Sequence, residues 1–371
     1  MFKQILTGRM NLKEKVKSLL NYSNRSRGAK KAWKKRHAIV FDKHPDFLRK
    51  GDEAKERTHR MYWSAFRSNF SLDTYRICEA ISEDADPKII PEEIFQADIE
   101  PSLNRMPDAH YLGNKSLYNR WFSEKIFPKD YLHNIDGELL DEGYKRLHKG
   151  QLNKLADRLP YPVILKPSLD SWGGSDINFI MSKEQLLSKM KRKENFVVQE
   201  KIQQHETQSK LHPPSLNTVR VYLYKSVKDN QTYIINIAQR MGNGGALDNV
   251  ASGGLISMIR EDGQMHGYAL DRYGKKFETH PVTGMPFNHV LPELDAMKNL
   301  AVEVASKLFH LRVVGLDLCY DSTGTWRIIE INTKGHSIRF SQYPGRPFFG
   351  EFMDEVREYC KINHWAKGSN G

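Results

Sequence analysis

The sequence predicts an α+β fold in which helices pack on sheets of short strands. From Pro162 onward, runs rich in β-branched and aromatic residues alternate with turns; they are PVILKP, DINFI, NFVVQEKI, TVRVYLYKSV and TYIINIAQRM. Such closely spaced runs are typical of an antiparallel or mixed sheet. Helical patterns precede and interrupt them, and 371 residues are enough for two or more subdomains.

Four segments outside these runs have helical periodicity, namely residues 42–82, 114–126, 183–193 and 294–310. In the second segment, Asn114 is a candidate N-cap, and the expected buried stripe consists of Leu117, Trp121 and Phe122. Residues 130–160 are predicted to form a polar linker followed by another helix.

Composition excludes several classes of protein. A hydrophobic content of 39% supports a packed core, and the chain has no long uncharged apolar run that could form a transmembrane helix. The three cysteines are too scattered for a zinc site or a disulfide framework. Because no secretory signal is visible either, we expect a cytoplasmic protein.

The net charge of +12 is concentrated at the N-terminus. Residues 1–36 contain twelve Lys or Arg and one acid, which leaves about +1 for the other 335 residues. A helix in this segment would have one basic face, and an apolar stripe made of Leu12, Val16, Leu19 and Leu20. Nucleic acid is not expected as a partner, because no aromatic platform accompanies the charge.

Two placements are open for this basic helix. It can dock on the body of the protein, or it can lie on an anionic membrane surface, which would put the protein at the inner face of the membrane. Since the rest of the chain is nearly neutral, we expect the helix to be dispensable for chemistry.

A candidate metal site lies near the C-terminus, in the string VVGLDLCYDSTGTWRIIEINTKG. Side chains alternate along a strand, so Asp317 on one strand of a hairpin can share a face with Glu330 and Asn332 on the other. Three oxygen donors on one face suit a magnesium ion that carries nucleotide phosphates. The alternative is an edge hairpin whose polar residues face water.

A candidate phosphate site lies upstream. Lys166 ends the apolar run VILKP, where a buried lysine needs an anionic partner. The loop SLDSWGGSDI follows, and its Gly173 and Gly174 would let backbone N–H groups approach a polyanion. A Gly-Gly pair also occurs in ordinary turns, so the order lysine, glycine loop and returning strand carries the prediction.

Further polar residues stand at the ends or within the later strands. Gln199 and Glu200 close a buried run, where the backbone could pair with an adenine edge or simply end a strand. Arg220 and Arg240 lie in apolar strands, and such arginines usually face an anion, either a structural carboxylate or a bound phosphate. Both would fit a phosphate or acyl-phosphate clamp.

The segment GNGGALDNVASGG has five glycines in thirteen residues. It is predicted to form a flexible loop over the site, with Asp248 and Asn249 as substrate contacts; a long hairpin connection is the alternative. The string FSQYPGRPFFGEF follows the metal hairpin closely and is expected to shape the substrate pocket.

Lys115, Lys166, the SWGGS loop, VVQEKI, NTVR and Asp317 with EIN occur in the order and at the spacing of the ATP-grasp superfamily. More closely, VVQEKIQQH, SLNTVRVYLY, LDNVASGG and the EIN hairpin resemble the sugar-transfer-associated ATP-grasp family. The resemblance covers about residues 30–360. It implies an ATP-grasp fold, with two α+β subdomains that clasp ATP and an N-terminal helical region.

The resemblance also implies roles for individual residues. ATP would be held by phosphate-contacting lysines, a covering glycine loop, a strand end at the adenine and a ribose-contacting histidine; these are Lys115, Lys166, Gly173, Gly174, Ser175, Gln199, Glu200, Lys201, Ile202 and His205. Two Mg²⁺ ions would be bound by Asp317, Glu330 and Asn332.

The predicted domain organisation follows from both kinds of argument. The segments are a basic helical segment (1–36), a helical and mixed subdomain (37–110), the ATP-grasp region (111–360) and a tail (361–371). Within the ATP-grasp region, residues 160–205 are the glycine-loop subdomain and residues 206–360 the metal-site subdomain.

By the resemblance, the expected activity is that of a carboxylate–amine ligase, which forms an amide through an acyl phosphate and releases ADP. Arg220, Arg240 and Asn332 are the candidate catalytic residues. The expected substrate is a uronic-acid carboxyl on a sugar or polysaccharide precursor, joined to an amino acid or amine. The alternatives are a kinase of a sugar or polyol hydroxyl, with Asp248 as base, and a nucleotide-binding module without turnover.

Overall fold

A computed structural model of the protein contains helices and two antiparallel sheets, which confirms the α+β class. It describes residues 5–6, 10–48, 51–122, 126–169, 177–190, 194–245 and 247–367. The longer helices are α1 (Leu12–Lys43), α2 (Glu53–Trp63), α3 (Asp73–Ser82), α4 (Lys149–Arg158), α5 (Lys183–Lys189), α6 (Leu294–Ser306) and α7 (Met353–Ile362). Shorter helical segments include Glu100–Leu103, Lys115–Leu117, Tyr118–Trp121, Glu206–Ser209 and Arg339–Gln342.

The strands fall into two groups along the chain. The first sheet contains β1 (Asp130–Ile135), β2 (Glu138–Asp141), β3 (Val163–Pro167), β4 (Asn178–Ile180) and β5 (Phe196–Glu200). The second contains β6 (Thr218–Lys225), β7 (Thr232–Met241), β8 (Leu255–Met258), β9 (Ala269–Leu270), β10 (Lys276–Phe277), β11 (Val313–Tyr320) and β12 (Trp326–Asn332).

The first sheet has the strand order β2-β1-β5-β3-β4. One face of it packs on α4 and α5, and Leu165 of β3 is buried in that core. Lys166 follows Leu165, so the strand alternation directs its side chain to the opposite face. Residues 130–141 were expected to be a polar linker. The structure instead pairs β1 with β2 and β5, and the side chain of Asp130 accepts a hydrogen bond from Gln199 of β5.

The second sheet has the order β10-β9-β8-β7-β6-β11-β12 and lies between two apolar layers. On one face, Val221 and Leu316 pack with Val304 of α6. On the other face, Tyr224 packs with Trp63 of α2. The helix predicted at 294–310 is present as α6, but it ends at Ser306.

Helix α1 is docked on the body of the protein over most of its length. Tyr22 and Trp33 are 1% and 4% exposed. The Tyr22 hydroxyl donates to Asp98 over 3.0 Å, and the Trp33 indole N–H donates to the side chain of Gln96 over 2.8 Å. The helix continues to Lys43, beyond the predicted boundary at residue 36, and its burial argues against the predicted dispensability.

The first third of α1 is different. Leu12, Val16 and Leu20, which recur every fourth residue, are 79%, 49% and 59% exposed. The stripe formed by these three residues therefore faces away from the protein, whereas Leu19, the fourth predicted member, is partly buried near Tyr22. None of the helices in the described part of the chain combines the length and the apolar character needed to cross a membrane.

The helix predicted at 114–126 is shorter in the structure, and the residues it buries differ in part from those predicted. Asn114 caps the segment as expected, since its side chain accepts from the backbone N–H of Ser116 over 3.1 Å. The α-helical part covers only Tyr118–Trp121. Tyr118 is fully buried, and its hydroxyl accepts from the Ile331 N–H of β12 over 3.0 Å. Phe122 is buried as predicted, whereas Trp121 is 39% exposed.

Candidate active site

The predicted metal hairpin forms as β11 and β12. Asp317 lies directly opposite Glu330, and Gly315 lies opposite Asn332. Because directly opposed residues share a face, Asp317 and Glu330 lie on the same side of the sheet, and a register shift follows Asp317. The side chains of Asp317, Glu330 and Asn332 line a single cavity.

Two arginines neutralise Asp317. Arg220 of β6 forms a two-pronged ion pair with it, through Nε to Oδ1 and through Nη2 to Oδ2 at 2.8 Å. Arg240 of β7 lies 3.3 Å from the same carboxylate. Burial by itself raises the pKa of Asp317, but the two guanidinium groups outweigh it and hold the pKa below its usual value.

Two lysines approach the same hairpin from the first half of the chain. Lys115 is 3% exposed, and its Nζ lies 2.7 Å from Oε1 of Glu330. The ammonium group of Lys166 donates to the backbone carbonyl of Ile329 over 3.2 Å. Burial, and then repulsion from Lys115, lowers the pKa of Lys166 to about 8. A lysine with a lowered pKa that lines a cavity is a candidate for binding an anionic ligand.

Asp248 extends the network on the far side of Arg240. It accepts from the Thr218 backbone N–H over 3.1 Å and from the Thr218 hydroxyl, and it lies 3.4 Å from Arg240. Asp248 and Asn249 both line the cavity, as the predicted contact role requires. Asp248 is therefore a carboxylate with fixed partners.

The cavity has a volume of about 500 Å³. It brings together nine of the residues singled out in the sequence: Lys115, Lys166, Arg220, Arg240, Asp248, Asn249, Asp317, Glu330 and Asn332. The fold brings these nine residues together. That they act as one functional site remains a prediction.

The residues predicted to hold adenine and ribose do not line this cavity. Gln199 is 1% exposed and donates to Asp130 over 2.7 Å, and Glu200 pairs with Arg327 over 2.8 Å. His205 caps the short helix Glu206–Ser209. Lys201 is exposed and Ile202 half-buried, in the connection between the two sheets. Gly173, Gly174 and Ser175 lie outside the described residues.

Several cavity residues were missed by the sequence reasoning. Trp33 and Arg36 come from α1, Arg272 follows β9, and Arg339 follows the metal hairpin. The hairpin also has an unforeseen support, because the ring nitrogens of His336 lie 2.7 Å from Glu100 and 3.0 Å from the backbone oxygen of Asn332. In the sequence, the only indication of these residues was the expectation that the string beginning at Phe340 would shape the substrate pocket. Phe340 does line the cavity.

The donor set of the hairpin suits magnesium. Mg²⁺ is usually bound through one or two carboxylates together with phosphate oxygens and water, and Asp317, Glu330 and the amide of Asn332 provide such oxygen donors. Asp317 already pairs with Arg220, and Glu330 pairs with Lys115. A metal bound here would therefore share each carboxylate with a protein cation. Within the described ranges, no three His, Cys, Asp or Glu side chains are grouped so that they could hold a metal by themselves. The amide of Asn332 would therefore have to complete the ligand set.

Comparison with known families finds a match for the central region of the chain. The family model described as sugar-transfer-associated ATP-grasp matches residues 175–351. This part of the chain is therefore similar to that family. The match contains Arg220, Arg240 and the metal hairpin, and it covers just under half of the chain. Lys115 and Lys166 precede it, and no curated protein sequence matches the chain significantly.

Solved structures of ATP-dependent enzymes are distantly similar to the chain. An ADP complex of purK, the N5-carboxyaminoimidazole ribonucleotide synthetase, has 13% identity and a TM-score of 0.37, over 61% of this chain and 45% of that one. The ATP-grasp ligase PsnB with a minimal precursor, Mg and ADP has 14% identity and a TM-score of 0.39, over 69% and 61%. The biotin carboxylase domain of the Hydrogenobacter thermophilus 2-oxoglutarate carboxylase has 14% identity and a TM-score of 0.38, over 64% and 46%. The chain thus spans less than two thirds of each.

Proposed function

We propose that the protein is an ATP- and Mg²⁺-dependent carboxylate–amine ligase that releases ADP and phosphate. The observation that carries the proposal is the convergence of two lysines, two arginines and the carboxylates of the metal hairpin on one cavity, within and beside the ATP-grasp region. Phosphoryl transfer depends on positioning and charge stabilisation more than on a protein nucleophile, and this set of residues supplies both.

In this reaction, MgATP supplies the γ-phosphoryl group that converts a substrate carboxylate into an acyl phosphate, which an amine then attacks to give the amide. Lys115 and Lys166 would neutralise phosphate charge. Lys166 is suited to this because its pKa of about 8 leaves it mainly protonated at neutral pH. Asp317, Glu330 and Asn332 would hold the metal.

Arg220 and Arg240 would orient the carboxylate and stabilise the oxyanion that develops during amine attack. Both already bind one carboxylate, that of Asp317, so their guanidinium groups are oriented for a second anion beside it. The kinase alternative needs Asp248 as a base. Its oxygens are engaged by Thr218 and Arg240, which favours a structural role for this residue.

The proposed acceptor is a uronic-acid carboxyl on a sugar or polysaccharide precursor, and the amine is an amino acid or small amine. The description of the matching family, which refers to sugar transfer, supports this class. We also propose that the exposed stripe of α1 contacts an anionic membrane surface, since Leu12, Val16 and Leu20 lie next to Lys13 and Lys17.

The test is to incubate the protein with ATP, Mg²⁺ and a panel of uronic acids and amines, and to measure phosphate release. A ligase requires both substrates and yields an amide that mass spectrometry detects. The Lys166→Met variant should lose this activity, whereas Lys183→Gln, which changes a half-exposed lysine of α5 that pairs with Asp157 and does not line the cavity, should retain it. Phosphate transfer to a sugar hydroxyl, with no need for an amine, would instead establish the kinase.

A further inference from the structure

The cavity extends beyond the metal hairpin to a second end that has no role in the reaction described above. Its walls are Trp33 and Arg36 of α1, Arg272 and Tyr273 between β9 and β10, and Arg339 and Phe340 after the hairpin. We call this part the arginine end. Trp33, Arg36, Arg339 and Phe340 lie against one another there, and Arg272 and Tyr273 line the same cavity.

Trp33 organises the arginine end. Its ring is 4% exposed and is fixed by the hydrogen bond to Gln96. The guanidinium carbon of Arg36 lies 4.5 Å from the ring centroid, and that of Arg339 lies 5.8 Å from it. Arg339 also lies 4.5 Å from the centroid of Phe340. Two like charges are thus held beside one aromatic ring.

The charges of Arg36 and Arg339 are incompletely balanced by the described residues around them. Glu92 is a buried acid, 1% exposed, that interacts with both Arg339 and Arg36, but burial outweighs them and raises its pKa to about 8, so it is largely protonated at neutral pH. Burial and then repulsion from Arg339 lower the pKa of Arg36. The buried Nε of Arg339 has no hydrogen-bond partner among the described residues. An anion bound here would relieve the repulsion and satisfy that donor.

The arginine end is physically connected to the metal hairpin. The Nη1 of Arg220 donates to the Tyr222 hydroxyl over 3.3 Å, and that hydroxyl donates to the carbonyl of Ser337 over 3.2 Å. Ser337 lines the cavity two residues before Arg339. One substrate could therefore contact Arg220 with one group and Arg339 with another.

We propose that the arginine end binds a phosphate or diphosphate group of the acceptor substrate, while the reacting carboxylate of that substrate lies at Arg220 and Arg240. This inference rests on the proposed ligase function. Guanidinium forks match both carboxylate and phosphate oxygens, and Arg36 and Arg339 are present in addition to the two arginines assigned to the reacting carboxylate. The acceptor would then be a sugar acid carried on a diphosphate, and α1 would form part of its binding site.

The test uses inorganic pyrophosphate as the probe and protein saturated with MgADP, so that the nucleotide site is filled. Calorimetry should detect pyrophosphate binding to the full chain at constant free Mg²⁺. Arg36→Gln and Arg339→Gln should each weaken it at least tenfold, and Arg36→Lys should weaken it less. Arg27→Gln changes an exposed arginine on the same helix that does not line the cavity, so its affinity should equal that of the unmodified protein.

Equal pyrophosphate affinity in all these variants, or no pyrophosphate binding to the MgADP-bound protein, would overturn the proposal. MgADP affinity and thermal melting of each variant, measured in the same samples, separate this result from misfolding. A failure of the ligase proposal would instead show as absent MgADP binding, or as ATP turnover that does not require an amine. Competition then identifies the source of the diphosphate, since a soluble nucleoside diphosphate sugar acid and a polyprenyl diphosphate in micelles should displace pyrophosphate to different extents.

Discussion

The Nζ of Lys115 and the Oε1 of Glu330 form an ion pair of 2.7 Å at the floor of the cavity. Lys115 belongs to a short helical segment that precedes the first sheet, whereas Glu330 lies on β12 of the second sheet. Because Lys115 is 3% exposed, protein groups have to replace the water that would otherwise solvate its charge. The pair therefore ties a buried cation to the metal hairpin.

Changing Glu330 to Gln should lower ligase turnover by two or more orders of magnitude. The substitution keeps the size of the side chain but removes a charge that would help to hold the metal, and such a loss is expected to cost ~3 kcal/mol of transition-state stabilisation. Steady-state phosphate release measures it. Glu303→Gln, an exposed acid on α6, is the control, and near-normal turnover of the Glu330 variant would remove the hairpin from the mechanism.

The same Glu330→Gln substitution should also destabilise the fold. If the empty metal ligands repelled one another, the substitution would stabilise the fold. In the structure, however, each carboxylate faces a protein cation, so the substitution would deprive Lys115 of its charged partner. We expect a loss of about 1–3 kcal/mol in the free energy of unfolding. Chemical denaturation measures it, and a stabilised variant would show that repulsion dominates.

Nucleotide binding should draw a proton onto Lys166. Its pKa is lowered to about 8, so at that pH about half of the molecules carry a neutral amine, and a bound polyphosphate would favour the charged form. Calorimetric titration with MgADP at pH 8, in two buffers of different ionisation enthalpy, should show uptake of up to about half a proton. Lys166→Gln should abolish the uptake, and Lys183→Gln should not. Identical heats in both buffers would contradict the prediction.

Asp317 should contribute stability that disappears in acid. Its folded pKa is held below the usual value of 3.8, so the native state keeps the carboxylate charged at a pH at which the unfolded chain begins to bind a proton. The contribution is therefore complete at neutral pH and is lost as the pH falls below the usual value toward the folded pKa.

Asp317→Asn should consequently cost about 3 kcal/mol of unfolding free energy at pH 7, because Arg220 would lose its charged partner. The gap between this variant and the unmodified protein should narrow below about pH 4. Denaturation curves across that range measure both effects, with the exposed Asp295→Asn as control. A gap that is independent of pH would rule out ionisation of Asp317 as its cause.

Vesicle binding should depend on the exposed stripe of α1. Replacing Leu12, Val16 and Leu20 together by Ser should reduce co-sedimentation with vesicles of anionic lipid severalfold, because apolar insertion and lysine attraction act together. Phe309→Ser removes an apolar residue that is 74% exposed elsewhere on the surface and should leave binding unchanged. Equal binding of both variants would exclude the stripe as a membrane contact.

The sequence by itself determined the parts of the site that depend on local geometry. Strand alternation has a fixed period of two, so the position of Lys166 beside buried Leu165 already indicated which face of β3 it would occupy. The same rule, applied to two strands joined by a short turn, was enough to predict that Asp317 and Glu330 would meet, and the register of β11 and β12 confirms it.

Tertiary structure alone decided which distant residues share the cavity. The pattern of α1 left docking and membrane contact open, because an amphipathic helix buries its apolar side against whatever surface is available. The fold docks the later part of the helix by burying Trp33, which places Arg36 beside Arg339 some three hundred residues later in the chain, whereas membrane contact of the exposed stripe stays a prediction. Likewise, Gln199 could not be recognised as a partner of Asp130 from sequence, since a side chain selects its hydrogen bonds only after the strands have paired.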